Sequence, residues 1–438
     1  MLTALLLTVV AAAEPAMPVR VTGPWTIEVG PGTVELGGRT VTVDAAVPFT
    51  ISPSPILQVY DEAYAKLPLF NENAGGWAKG AHPAPIKTEE CSQTGSLFPE
   101  SLVVKPEKGA SQPYVIDKDY RIDGEWASIG RIEGGAIDPE KTVYFDYMYT
   151  PNRLDTIAVD GQGKLRLFEG VARNGAIEPP ALAPGETAVV NVWVPCRSAQ
   201  LADDNLFAIC SDQEMPVIEP VAEQLLPKTL AKLRAGEDVH IVAFGDSVTC
   251  GGGTTRPEDW YQEQFRRMLQ ERFPNAKIHM YTAGWGGASS MAYLSQPRGA
   301  EHDFVRDVLD VKPDMVSIEF VNDAGLSEEE TLAHYRGIIA QLEGVGAETV
   351  LIAPHLVRPD WMGLTTWKVK EDPRVYVAAL HRLAKEGNLA LADGSAEYCN
   401  LWREGIPYMT VMSNAINHPN ARGHALFARR LLGLFPEK

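Results

Sequence analysis

Ser247 stands in Phe244-Gly245-Asp246-Ser247-Val248-Thr249, with Gly251-Gly252-Gly253 close behind it. A serine in a glycine-flanked turn just past an apolar run is where an exposed hydroxyl nucleophile belongs. Two other readings fail on spacing. The second residue after Ser247 is Thr249, so the G-x-S-x-G elbow is absent. Without a Gly-Lys-Ser/Thr ending, the glycines do not make a phosphate-cradling loop. Three further stretches carry matching chemistry. Ala283-Gly284-Trp285-Gly286-Gly287-Ala288-Ser289 leaves backbone N–H groups uncovered, Glu319-Phe320-Val321-Asn322-Asp323 offers a carboxamide, and Asn417-His418-Pro419-Asn420 offers an imidazole. A base to activate a hydroxyl, with two or three N–H donors to hold an oxyanion, is the set that acyl transfer requires.

These stretches need a scaffold that brings them together. From residue 239 on, the rhythm is strand, helix, strand: apolar runs at 239–244, 277–281, 315–321, 350–353 and 389–392 read as strands. Helical spacing over 258–273, 327–342 and 421–435 separates or follows them, and 219–235 reads as a helix with Leu225, Leu226, Leu230 and Leu233 on one side. Five buried strands alternating with helices predict an α/β fold with a parallel sheet covered on both faces. In such sheets chemistry lies at the carboxyl ends of the strands, which is where Ser247, Gly287 and Asn322 fall.

The order and spacing of these blocks resemble the SGNH (GDSL-type) hydrolase family over about residues 238–438. The resemblance implies that Ser247 is the nucleophile and His418 the general base. It implies oxyanion donors from the Ser247 amide, the Gly287 amide and the Asn322 side chain, and neither metal nor organic cofactor. Two positions depart from the family pattern. Ala415 stands three residues before His418 where Asp is usual, and Phe320 stands two before Asn322 where Gly is usual. The first removes the carboxylate expected to orient the imidazole, so a backbone carbonyl or a carboxylate elsewhere must do so; Asp393, at the end of the fifth strand, is one candidate.

Around the rim, His355 in Ala353-Pro354-His355-Leu356 is placed for substrate contact, and Trp285, Trp361 and Trp367 could stack on sugar rings. His424 falls on the closing helix as a packing residue, while Asp246 and Asp323 are expected to brace loops.

From about Pro24 to Cys210 the texture changes. Short alternating runs at 25–29, 33–36, 41–43, 142–149, 154–159, 164–168 and 188–194, split by Gly and Pro, predict a β-sandwich or jelly roll. The weakly periodic stretch 71–96 reads as a long loop. With 438 residues, about two domains are expected: an accessory β domain over 14–215 and the hydrolase-like domain over 216–438.

The formal charge of −18 argues against a phosphate-backbone partner, which needs clustered Lys and Arg. No apolar run is long enough to span a bilayer. The run 2–10, followed by Ala11-Ala12-Ala13, has the length and tail of a signal peptide cleaved before Glu14, so export is expected. Five cysteines without C-x-x-C spacing indicate neither zinc nor a redox motif, although Cys196 and Cys210 could pair in an oxidising compartment.

The expectation is an exported serine esterase acting on small acyl esters of carbohydrate, acetyl foremost. The alternatives are a lipid or aryl esterase of the same family, and a carbohydrate-binding surface protein that has lost catalysis.

Overall fold

The computed structural model describes residues 17–210, 218–414 and 416–437. The apolar run 2–10, Ala11 to Ala13, the expected boundary at 215/216 and Ala415 lie outside them. Among the described residues, no helix is long and apolar enough to cross a membrane.

The C-terminal domain is built on five strands: β1 Asp238–Gly245, β2 Lys277–Gly284, β3 Met315–Glu319, β4 Glu348–Ala353 and β5 Ala390–Asp393. They run β2-β1-β3-β4-β5 across the sheet, and every pairing is parallel. Alternation divides β1 between two apolar clusters. Val239, Ile241 and Ala243 enter one; Val242 and Phe244 enter the other. Both faces are covered, so the strand reads as nearly continuous apolar sequence.

Helices α1 Pro227–Ala235, α2 Tyr261–Arg272 and α5 Ala421–Gly433 close the first face with Leu230, Leu233, Phe265, Leu269, Phe427 and Leu431. Helices α3 Glu328–Gly344 and α4 Val375–Gly387 close the second with Tyr335, Ile338, Leu342, Tyr376, Leu380 and Leu383. Each large apolar side chain contributes about 1.5–3 kcal/mol on leaving water, so these two layers, not helix propensity, hold the sheet covered. Local signals set the ends. Ser327 and Glu330 form a reciprocal capping box at the start of α3. The helix expected over 219–235 is instead two, Ala222–Leu225 and α1, because Pro227 lacks an N–H and takes the first turn of the second. Helix α4 has no counterpart in the sequence expectations.

Upstream, the chain is mostly antiparallel strand. Arg153–Val159 and Thr187–Val194 lie at the centre of a four-stranded sheet flanked by Leu165–Phe168 and Leu206–Ala208. Its Ile157, Val190, Val192 and Val194 share a core with Ile27 and Val29 of a second sheet, formed by Val19–Gly23, Thr26–Val29 and Val47–Thr50. A separate cluster around Val104, Ile129, Phe145 and Tyr147 fills a lobe between residues 57 and 149. Within that lobe the stretch read as a long loop carries a hairpin, Lys87–Thr88 against Cys91–Ser92. Its strands are two residues long, too short for any alternating pattern to mark them.

The N-terminal region packs directly on the C-terminal domain. Asn191 Nδ2 donates to the Gly405 carbonyl at 2.7 Å, Thr366 Oγ1 donates to Asp204 at 2.5 Å, and Trp193 meets Trp367 edge-on at 4.6 Å. Cys196 is a thiol hydrogen-bonded to Asn152 Oδ1 rather than a disulfide partner of Cys210.

Candidate active site

Strand β1 has β2 on one side and β3 on the other, so the strand order reverses there and a crevice opens beyond its carboxyl end. Gly245 closes the strand. A Cβ at that position would stand 2.1 Å from Thr249 Oγ1 and 2.3 Å from the Glu319 carbonyl, so only glycine permits the turn. Asp246 is fully buried and accepts the N–H of Val248 and of Asn322, each at 3.0 Å. It thereby ties the Ser247 loop to the loop after β3. Burial pushes its pKa up to about 7, against the pull of those two donors.

Ser247 Oγ lies 3.0 Å from His418 Nε2. The turn that carries His418 is fastened by Asn414, whose buried Oδ1 accepts the N–H of Ile416, Asn417 and His418 at 3.0, 2.8 and 2.9 Å. Beyond it, Asn420 caps α5 by accepting from Arg422 and Gly423. The imidazole therefore sits on a short, doubly anchored stretch.

His355 does not face substrate. It is fully buried, and its Nε2 lies 2.5 Å from the Asn417 carbonyl, so it supports the turn from beneath. Burial, then the nearby Arg374 charge, hold its pKa well below the ordinary imidazole value. His424 is buried too. Its Nδ1 accepts the Tyr261 N–H, which leaves the proton on Nε2 to be donated to the Gly252 carbonyl at 3.0 Å. Burial lowers its pKa to about 4, so it braces the glycine loop as a neutral ring.

The carboxylate that faces His418 comes from the N-terminal region. His418 Nδ1 is 2.9 Å from Glu89 Oε1, at the tip of the 87–92 hairpin, and 3.8 Å from Glu90 Oε2. Asp393 is engaged elsewhere: it accepts from the Ala396 N–H at 2.9 Å and faces His381 Nε2 at 3.1 Å. Sequence reasoning missed Glu89, which lies 329 residues from its partner. The sole local sign was an acidic pair, Glu89-Glu90, at a tip with nothing basic adjoining it except Lys87. Burial pulls the His418 pKa down, but the hydrogen bond and charge of Glu89, with Glu90 and Asp246, outweigh it, and the net shift is upward.

The parallel register sets Gly245 opposite Gly284 on one side and Glu319 on the other, so the segments bearing Gly287 and Asn322 flank the Ser247 loop. Gly287 is exposed with φ +76°, a conformation that glycine enters freely. Asn322 is exposed; one Nδ2 hydrogen goes to the Ala288 carbonyl at 3.2 Å, which leaves the other for a ligand. Asp323 turns inward, accepting from the Ser290 N–H and from Ser290 and Tyr335 hydroxyls. Of the rim tryptophans, Trp285 stacks on His302 at 4.5 Å. Trp367 is taken up in the contact with Trp193. Trp361 is 45% exposed and lies 5.1 Å from Trp77.

Glu89, Glu90 and His418 also bring three potential ligand atoms within 4.8 Å of one another. Both ring nitrogens of His418 are already paired, one with the serine hydroxyl and one with a carboxylate, which is the donor pattern of a proton relay.

Residues 243–426 match the sequence model of the GDSL-like lipase/acylhydrolase family. Among solved structures, a two-domain esterase active on acetylated mannans is 23% identical over 49% of this chain and 53% of its own, with a TM-score of 0.40. The match thus spans about half the length of that protein. An acetylxylan esterase from Geobacillus stearothermophilus is 20% identical over 44% of this chain and 92% of its own, with a TM-score of 0.36. An alpha/beta hydrolase enzyme from the metagenome of Lake Arreo, Spain, is 19% identical over 45% and 96%, also at 0.36. A search of curated proteins finds no match.

Proposed function

We propose, from the premise that residues 243–426 form a GDSL-like lipase/acylhydrolase domain, that this protein is a serine carboxylic ester hydrolase that removes small acyl groups, acetyl foremost, from carbohydrate. The observation that carries the reading is the 3.0 Å approach of Ser247 Oγ to His418 Nε2 at the sheet's switch point. In the reaction, Ser247 Oγ attacks the ester carbonyl while His418 Nε2 takes its proton. The oxyanion accepts from the Ser247 and Gly287 amides and from Asn322 Nδ2. His418 then gives the proton to the departing sugar oxygen. Water, activated by the same imidazole, attacks the acyl-serine, releasing the carboxylic acid and restoring Ser247.

The substrate class rests on the character of the rim. Exposed positions on the loops around Ser247 include two glycines, an amide and a carboxylate, Gly286, Gly287, Asn322 and Glu89, beside the thiol of Cys250. A long acyl chain would find little aliphatic surface there. The Trp77–Trp361 pair offers an aromatic face joined to the turn that carries the base, since Trp77 packs in one cluster with Ile416, two residues before His418. The run 2–10 with its alanine tail supports export, to the periplasm or beyond, where such polymers are met.

Rates with an aryl acetate, longer-chain aryl esters, acetylated polysaccharides and lipid esters test the reading. Acetate should be preferred, and Trp361→Ala should raise KM for an acetylated oligosaccharide while leaving aryl acetate kinetics unchanged. A preference for long acyl chains would assign the site to lipid esters; a folded protein that turns over no ester would end the hydrolase reading.

Asn322→Ala tests the oxyanion assignment. Loss of one such donor costs about 2.7–4 kcal/mol of transition-state stabilisation, or roughly 10²–10³ in kcat, with little change in KM. A wild-type kcat would remove Asn322 from the mechanism.

A further inference from the structure

We propose that Glu89, from the N-terminal region, is the positioning residue that orients His418 and stabilises its charged form, so the hydrolase site is complete only with the 87–92 hairpin docked. This rests on the reading of Ser247 and His418 as nucleophile and base.

Glu89 Oε1 accepts two hydrogens, from His418 Nδ1 at 2.9 Å and from the Gly253 amide at 3.1 Å. One carboxylate thus joins the loop of the base to the loop of the nucleophile. Its neighbour grips the same turn: Glu90 Oε1 accepts from Asn414 Nδ2 at 2.6 Å, and Asn414 Oδ1 holds the His418 amide. The backbone at Glu89 has φ 59°, which a non-glycine residue keeps only where its surroundings over-determine it.

The hairpin is seated rather than merely adjacent. Cys91 and Trp126 from the N-terminal region are buried with Ile416 from the His418 turn, and Trp77 and Met409 pack around them. Arg358 lies over the Trp126 ring at 4.7 Å and within 3.6 Å of Glu125. The carboxylate that families of this kind place just before the histidine is thus replaced, in space, by one delivered across a domain contact. The longer glutamate side chain suits an acceptor that approaches from outside the loop.

A carboxylate on Nδ1 keeps the proton there, leaves the Nε2 lone pair facing Ser247 Oγ, and balances the positive charge formed when that proton is taken. The groups facing His418 are Glu89 and Glu90 from the hairpin, Asp246 from the β1 turn, His355 from the loop after β4 and His424 from α5. Burial favours the neutral ring, the three acids favour the protonated one, and the acids prevail. The two buried histidines remain uncharged.

The test uses the full-length protein. Glu89→Gln keeps the size of the side chain and removes its charge. Expected are a kcat/KM loss of about 10²–10⁴ on the pH plateau and an acid limb displaced to lower pH. A histidine Cε1 NMR titration, in which the His418 signal is identified by its loss in His418→Gln, should show a matching fall in its pKa. Ala415→Asp in the Glu89→Gln background should return part of the lost rate and move the limb back up. If Glu89→Gln keeps both the wild-type rate and the wild-type limb while Ser247→Ala is inactive, the proposal is overturned and the esterase reading stands. If the wild type turns over no ester, that reading fails instead, and an unchanged His418 titration in Glu89→Gln still overturns the proposal. Loss of activity in a chelator, restored by a divalent cation, would assign the two glutamates to a metal and overturn it as well.

Discussion

Ser247→Ala is expected to remove ester turnover almost entirely, with a fall on the order of 10⁶ in kcat, the loss seen when a serine hydrolase is deprived of its nucleophile. The physical reason is that the two nucleophilic side chains next along the same turn are poor substitutes. Thr249, the nearest hydroxyl in sequence, is buried and engaged with the Tyr261 hydroxyl at 3.0 Å. Cys250 is exposed, but burial of its sulfur raises its pKa, which keeps it a thiol. Ser247 itself is half-buried at a turn, so the substitution deletes one oxygen with little cost in packing. Thermal unfolding should therefore stay close to wild type while turnover of an aryl acetate disappears. Residual turnover above one per cent would mean that a different nucleophile carries the reaction.

His418→Ala should lower kcat by a similar order, and the double variant Ser247→Ala/His418→Ala should lose no more than the worse single one. The two side chains act as a unit across one 3.0 Å hydrogen bond, so removing either ends the same proton transfer. A fluorophosphonate probe reads the pair directly. It should label Ser247 in the wild type and fail to label it in His418→Ala, because the hydroxyl is then no stronger a nucleophile than any surface serine. Labelling at the wild-type rate in that variant would show that His418 does not activate Ser247. The pH dependence supplies the sign. The His418 pKa is raised above its ordinary value of 6.5, so the acid limb of kcat/KM should lie above 6.5, reporting the free base.

The inner strands were legible because a strand packed on both faces must be apolar throughout, and 239–244 or 315–321 can be little else, whereas helix α4 carried no such mark. The placement of the candidate residues at their ends was legible for a related reason. Parallel strands align their carboxyl ends, so Ser247, Gly287 and Asn322 must share one rim whatever the helices do between them. Helix ends were readable where a local signal existed, as at Ser327, and misjudged where one proline divided a continuous apolar side, as at Pro227.

Sequence could show that Ala415 left the imidazole without its usual carboxylate, but not what replaced it. A pairing across 329 residues has no period, no motif and no fixed spacing. It depends on how the N-terminal region docks on the C-terminal domain, through Trp126 and Cys91 against Ile416 and through hydrogen bonds such as Asn414 to Glu90, contacts that only the tertiary structure brings together. Burial decided the histidines in the same way. His355, His418 and His424 are alike as letters. The fold puts one beneath the turn, one against Ser247 and one behind the glycine loop, and solvent and neighbouring charge then set which of them can become charged.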